Sequence, residues 1–171
     1  MNEIEKKYLV QALPDISIYE STNISQGYLS IEPNEIRIRM MGDECFLTEK
    51  GDGTLVRPEK ETPISIEAFS ILYGMVKGAM IEKTRVFVPI EQGYTAELDI
   101  YHGFLEGLLT VEVEFPSEEA ALEFIPPIWF GEDITSDKRF KNKSLATSNV
   151  TLDELMHKKE KMRTLENNGK D

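Results

Sequence analysis

The stretch NEIEKKYLV, residues 2–10, puts Glu3, Glu5 and Lys7 two residues apart, with Ile4, Tyr8 and Val10 on the alternate positions. On a β-strand, residues at i, i+2 and i+4 share one face, so two carboxylates and an ammonium would point one way and an apolar row the other. A helix, with its 3.6-residue period, would scatter both sets.

The same two-residue step recurs along the chain. Arg37 and Arg39 stand in EIRIRM against Ile36 and Ile38, and VRPEKE puts Arg57, Glu59 and Glu61 on one face. EKTRVFV carries Lys83 and Arg85, with Val86 and Val88 opposite; AELDIY sets Glu97 and Asp99 against Leu98 and Ile100. LLTVEVEF sets Glu112 and Glu114 against Val111, Val113 and Phe115, and Lys50 closes FLTEK on the face of Thr48 and Phe46. The pattern predicts strands over 2–10, 24–31, 35–41, 44–50, 54–61, 81–89, 95–101 and 108–115, separated by turn-forming pairs such as Pro33-Asn34, Gly42-Asp43 and Gln92-Gly93. One helix is expected in SIEAFSILYGMVKG, residues 65–78, and a second from the N-cap Ser117 to the stop before Pro126-Pro127. A third is expected from Thr151, in capping-box spacing with Glu154, with NNGKD fraying after it.

Eight strands in sequential order with short connections give a mainly antiparallel α+β fold, either a closed eight-stranded β-barrel with helices outside or an open sandwich. One domain over residues 1–150 is expected, with 151–171 as its C-terminal helix and tail.

Ordinary amphipathic sheets also present a polar face to water, but such faces mix Thr, Ser, Gln and Lys. Here the face is almost wholly Arg, Lys, Glu and Asp. It holds seven bases (Lys7, Arg37, Arg39, Lys50, Arg57, Lys83, Arg85) and eight acids (Glu3, Glu5, Glu59, Glu61, Glu97, Asp99, Glu112, Glu114), a net of −1 within a chain of net charge −12. A dense, nearly neutral face can point into a barrel only if it is wet, paired or filled by ions. Guanidinium and ammonium groups suit phosphate oxygens, and clustered carboxylates suit Mg²⁺ or Mn²⁺, so the pair points to a metal–polyphosphate ligand.

The rest of the composition narrows the classes. The acidic balance argues against nucleic acid and anionic membrane as partners. No apolar run approaches the roughly 20 residues of a membrane span. The single cysteine, Cys45, allows no internal disulfide, and a cytoplasmic location is expected. Two histidines without ligand-spaced partners make a zinc site a poor fit. No P-loop or dinucleotide fingerprint is present.

These residues resemble the CYTH, or triphosphate tunnel metalloenzyme, superfamily. The resemblance begins with its E-x-E-x-K hallmark at Glu3, Glu5 and Lys7. It continues through QGYL (26–29), RIR (37–39), LTEKG (47–51), R-x-E-x-E (57–61) and EKTR (82–85), and then through ELDIYHG (97–103), VEVE (111–114) and DITSDKRFKN (133–142). It implies an eight-stranded tunnel and divalent-metal-dependent hydrolysis of a triphosphate; the compact chain, without an evident base-stacking cluster, favours inorganic tripolyphosphate. Glu3, Glu5, Glu112 and Glu114 are implied as metal ligands for Mg²⁺ or Mn²⁺. Lys7, Arg37, Arg39, Lys50, Arg57, Lys83, Arg85 and Arg139 are implied as the phosphate-binding set. Glu59, Glu61 and Asp99 form a second acidic group able to orient water or hold a further metal, and Tyr28 is a candidate helper to Lys7. Lys141 departs from the small or aromatic residue expected there and stays outside the set. An adenylate cyclase of class IV type, a thiamine or nucleoside triphosphatase and a non-catalytic polyphosphate-binding module are the alternatives, as monomer or homodimer.

Overall fold

The structure, a computed structural model, describes residues 2–157. Its strands are β1 (Asn2–Val10), β2 (Ser21–Ser30), β3 (Glu35–Met41), β4 (Glu44–Lys50), β5 (Val56–Ile64), β6 (Lys77–Pro89), β7 (Thr95–Tyr101), β8 (Leu109–Glu114) and β9 (Phe130–Asp133). They pair antiparallel in the order β5-β4-β3-β2-β6-β7-β8-β1, and β5 returns to β1, closing an eight-stranded barrel. The open sandwich is thereby excluded.

The opening strand is the seam. Glu5–Leu9 pair with β8 along one edge, while on the other Asn2–Ile4 meet Val56–Pro58 of β5, and Tyr8 and Val10 meet β9. β5 changes partner at the same place, pairing with β1 up to Pro58 and with β4 from Glu59 onward. Each of its residues therefore uses one edge for pairing, which is how the strand carries Pro58 and Pro63.

Several boundaries differ from expectation; β2 begins at Ser21 and β6 at Lys77, three and four residues early. The first helix, α1 (Ile66–Tyr73), opens as foreseen, with Ser65 Oγ accepting from Ala68 N at 3.0 Å, but it stops at Gly74 rather than Gly78. Lys77 already begins β6, and Gly78 is needed there for another reason: its φ is +72° and a Cβ would lie 2.3 Å from the Ala146 carbonyl oxygen. β5 runs three residues past its expected end. β9 (FGED) was not foreseen, because four residues carry no period and its pairing is decided by β1.

The second helix, α2 (Glu118–Glu123), is capped by Ser117 Oγ, which accepts from Ala120 N at 3.0 Å. The expected capping box forms as well, Glu154 N donating to Thr151 Oγ1 at 3.2 Å. That helix is described as far as His157; residues 158–171, the NNGKD tail among them, lie outside the described residues.

The apolar alternate residues of the barrel face outward, where helices cover them. Val86, Val88, Leu98, Val111 and Val113 pack with Phe115, Phe124 and Phe130 under α2 and β9; Ile38 and Cys45 pack with Phe69 of α1. A third cluster is internal. Tyr28, Ile81 and Tyr101 continue the inward alternation of Gln26, Lys83 and Asp99, and they pack on Phe140, on Leu145 and Ala146 of α3 (Asn142–Thr147), and on Ile134. Apolar side chains therefore fill one end of the barrel. No helix among the described residues is long and apolar enough to cross a membrane.

Candidate active site

The remaining interior is a cavity of about 500 Å³. Its lining includes Glu3, Glu5 and Lys7 of β1, Arg37 and Arg39 of β3, Lys50 of β4, and Arg57, Glu59 and Glu61 of β5. Arg85 of β6, Glu97 of β7, and Glu112 and Glu114 of β8 complete the charged wall. Strand alternation accounts for this: every one of these residues sits on the inward step of its strand, and closure brings the steps together.

The acids gather around the seam. Glu5 is paired in register with Glu114, and Glu112 with Lys7 on one side and Glu97 on the other. Burial, then the charges of Glu112 and Glu3, push the Glu5 carboxyl well above its ordinary range. Burial and the hydrogen bond with Glu3 raise Glu59 to about 7, and burial raises Glu97 and Glu114. Glu3 goes the other way: its burial is outweighed by hydrogen bonds with Glu59 and Glu5 and by Lys50, whose Nζ lies 3.1 Å away. Glu112 is lowered too, burial being outweighed by Lys7 and Arg85. Carboxylates crowded until some hold protons have the donor chemistry for an oxygen-seeking cation. Among the described residues no three such side chains converge on one point, so holding an ion requires rotation about their χ angles.

The bases divide by partner. Arg85 is saturated: Nε donates to Asp99 Oδ1 at 2.8 Å, Nη2 to Asp99 Oδ2 at 3.0 Å, and Glu97 and Glu112 add ion pairs. Lys7 Nζ donates to the Phe140 carbonyl at 2.7 Å and lies 3.7 Å from Glu112, and Arg57 lies 3.4 Å from Glu35. Arg37 and Arg39 have neutral partners. Arg37 Nη2 donates to Thr48 Oγ1 at 3.3 Å and its Nε has no partner among the described residues; Arg39 Nε and Nη2 both donate to Gln26 Oε1, at 3.0 and 2.8 Å. Neither guanidinium forms an ion pair among the described residues, though both are buried. Burial, then the Arg37 and Arg85 charges, lower Arg39 to about 10.

Several expected site residues sit elsewhere. Asp99 and Lys83 are fully buried beneath the wall, joined by a 2.7 Å bond, so Asp99 buttresses Arg85 rather than facing the cavity. Arg139 is outside the lining, held by both oxygens of Asp137 at 3.0 and 2.9 Å. The Tyr28 phenol lines the cavity but is hydrogen-bonded by Gln26 Nε2 at 3.0 Å, whereas Lys7 Nζ bonds to Phe140, so no hydrogen bond joins the proposed pair. Cys45 is buried and free, its thiol raised by burial.

Sequence reasoning left out Glu35, Thr54, Lys141 and Gln26. Glu35 was readable, lying on the same two-residue step as Arg37 and Arg39. Lys141 lines the cavity and donates to the Gly53 carbonyl at 3.2 Å, a contact between loops that no local pattern announces.

No family model matches the chain. An inorganic triphosphatase of Nitrosomonas europaea is 45% identical over 150 residues, spanning 86% of this chain and 99% of that protein. One from Acetivibrio thermocellus is 36% identical over 146 residues, 84% of this chain and 92% of that protein. A crystal structure of an inorganic triphosphatase matches at a TM-score of 0.64 and 43% identity, covering 84% of this chain and 93% of the other. With a closed charged tunnel and relatives at these identities over nearly their whole length, the chain belongs to the inorganic triphosphatases of the CYTH, or triphosphate tunnel metalloenzyme, superfamily.

Proposed function

We propose that the tunnel binds inorganic tripolyphosphate and hydrolyses it with a divalent cation, Mg²⁺ or Mn²⁺. The observation that carries this reading is the pair of buried guanidiniums, Arg37 and Arg39, which have no carboxylate partner among the described residues and lie across the cavity from crowded glutamates. A buried cation needs an anion, and crowded carboxylates need a cation. A metal–polyphosphate supplies both. Among the described residues the lining offers only Tyr28 and Ile134 as apolar bodies, both nearly fully buried, which favours a bare polyphosphate over one that carries an organic base or ring.

Glu3, Glu5, Glu112 and Glu114 would hold the cation, which when bound supplies Lewis-acid polarisation of phosphoryl oxygens. Arg37, Arg39, Lys50 and Arg57 bind and align the phosphates, placing fixed positive charge where negative charge develops, while Arg85, held by Asp99, Glu97 and Glu112, fixes the wall beside them. Lys7, held by Phe140 and Glu112, presents its ammonium from the seam strand. Glu59 and Glu61, which line the cavity on the same strand face, are placed to orient or deprotonate the attacking water. Tyr28 keeps its proton because burial raises its phenol, and it can donate that proton to a phosphate oxygen.

Phosphate release from tripolyphosphate, ATP and thiamine triphosphate, with Mg²⁺, Mn²⁺ or chelator, tests the reading. Metal-dependent release from tripolyphosphate above the other two is expected. Tight binding with no turnover of any substrate would refute it, and cyclic AMP formed from ATP would replace it with the cyclase reading. Glu5→Gln should lose about 100-fold or more in turnover while keeping its fold by circular dichroism. Full activity in that variant would remove Glu5 from the cation site.

A further inference from the structure

We infer that Gln26 is a positioning residue that aims Arg39 into the tunnel while leaving its positive charge open, and that it also sets the direction of the Tyr28 proton. This deepens the tripolyphosphate reading and rests on it. Gln26 is fully buried, and its side chain has one arrangement that satisfies its neighbours. Both contacts from Arg39 come from donors, Nε at 3.0 Å and Nη2 at 2.8 Å, so the amide oxygen must face them. That leaves Nε2 to donate to Tyr28 Oη at 3.0 Å. The phenol oxygen therefore accepts from Gln26, and its own O–H is free to point elsewhere. The one amide holds two groups that line the cavity, a guanidinium and a hydroxyl.

The choice of an amide has an electrostatic consequence. A carboxylate at position 26 would fit the same space and grip the guanidinium more tightly, as Asp99 grips Arg85. It would also neutralise the charge that a phosphate must meet, and would take the Tyr28 proton for itself. The amide orients without compensating. The protein thereby forgoes an ion pair in its ligand-free state in favour of affinity for a polyanion.

Gln26→Glu separates these effects. The ligand-free variant should melt at or above the wild-type temperature, while KM for tripolyphosphate rises about tenfold or more, the size of one lost charge-assisted contact. Tripolyphosphate titrated calorimetrically in chelator should show the same loss of affinity. In an Arg39→Met background the Gln26→Glu effect should shrink towards none, because the charge being compensated is gone. Should Gln26→Glu fail to fold, Gln26→Met serves: it keeps the charge but loses the aim, and should raise KM less than Arg39→Met does.

Unchanged affinity in Gln26→Glu, or an undiminished effect in the Arg39→Met background, overturns the inference. So does an unchanged KM in Gln26→Met. Wild-type protein that binds tripolyphosphate without hydrolysing it, with binding still weakened by Gln26→Glu, would fell the hydrolase reading and leave Gln26 in its role. Wild-type protein that does not bind tripolyphosphate at all fells both.

Discussion

Two walls of one barrel treat their buried cations in opposite ways. On β6, β7 and β8, Lys83 and Arg85 share Asp99, and Glu97 and Glu112 close around the guanidinium, so the charge is balanced within the protein. On β2, β3 and β4, Arg39 and Arg37 lean on an amide and a hydroxyl, and their charge is balanced by nothing within ion-pair reach among the described residues. The first wall is built to stand by itself, and the second is completed by a ligand. Charge density alone does not mark a binding surface; the deciding property is whether the charge has already been spent inside the fold.

The comparison is tested hardest at Asp99. Asp99→Asn leaves buried Lys83 without its carboxylate and Arg85 with only Glu97 and Glu112, and should cost about 3–5 kcal/mol of unfolding free energy, read from urea melts. A loss below about 1 kcal/mol would show that this wall is not self-balanced. Arg39→Met should give the inverse pattern. Turnover of tripolyphosphate should fall about 100-fold, while stability changes by no more than about 1 kcal/mol, since an apolar chain replaces an uncompensated cation. Equal damage to stability in both variants would erase the distinction.

A pH series sharpens the same contrast. Burial dominates at Lys83; Asp99 opposes it, but Arg85 and Arg39 add to it, and its ammonium falls to about 7 against an ordinary 10.5. A base depressed on folding contributes stability above its unfolded value and loses it as pH falls through the folded one. The ligand-free melting temperature should therefore rise between about pH 7 and 10, and Lys83→Met should flatten that slope. The smallest effect is expected at Lys141, which is partly exposed and bonded to a carbonyl. Lys141→Met should raise KM for tripolyphosphate only about two- to fivefold, with kcat unchanged, because one screened contact is worth under about 1 kcal/mol.

Much of this was readable because strand alternation is a local code. The step of two at Glu3, Glu5 and Lys7, repeated at residues 37–39, 57–61, 83–85, 97–99 and 112–114, marks the charged rows, and Ser117 marks the start of its helix. Position along a row was not readable. Glu97 and Asp99 look alike in sequence, yet one faces the cavity and the other lies beneath it, because depth in the barrel depends on register with β6 and β8. Arg139 and Lys141 exchanged places for a similar reason: Asp137, two residues before Arg139, captures that guanidinium, while Lys141 reaches the Gly53 carbonyl. Gln26 opens the QGYL stretch of the resemblance, but its side-chain role was not readable there, since an uncharged residue in a charged row reads as a gap.

The sequence by itself determined the inward and outward rows, the sign of charge on each strand and the polyanion–cation chemistry they imply, because these depend on backbone period and side-chain type. Only the tertiary structure decided which charges neutralise one another and which stay open. That outcome depends on distances of about 3 Å between strands far apart in the chain, where a carboxylate cancels a guanidinium and an amide does not.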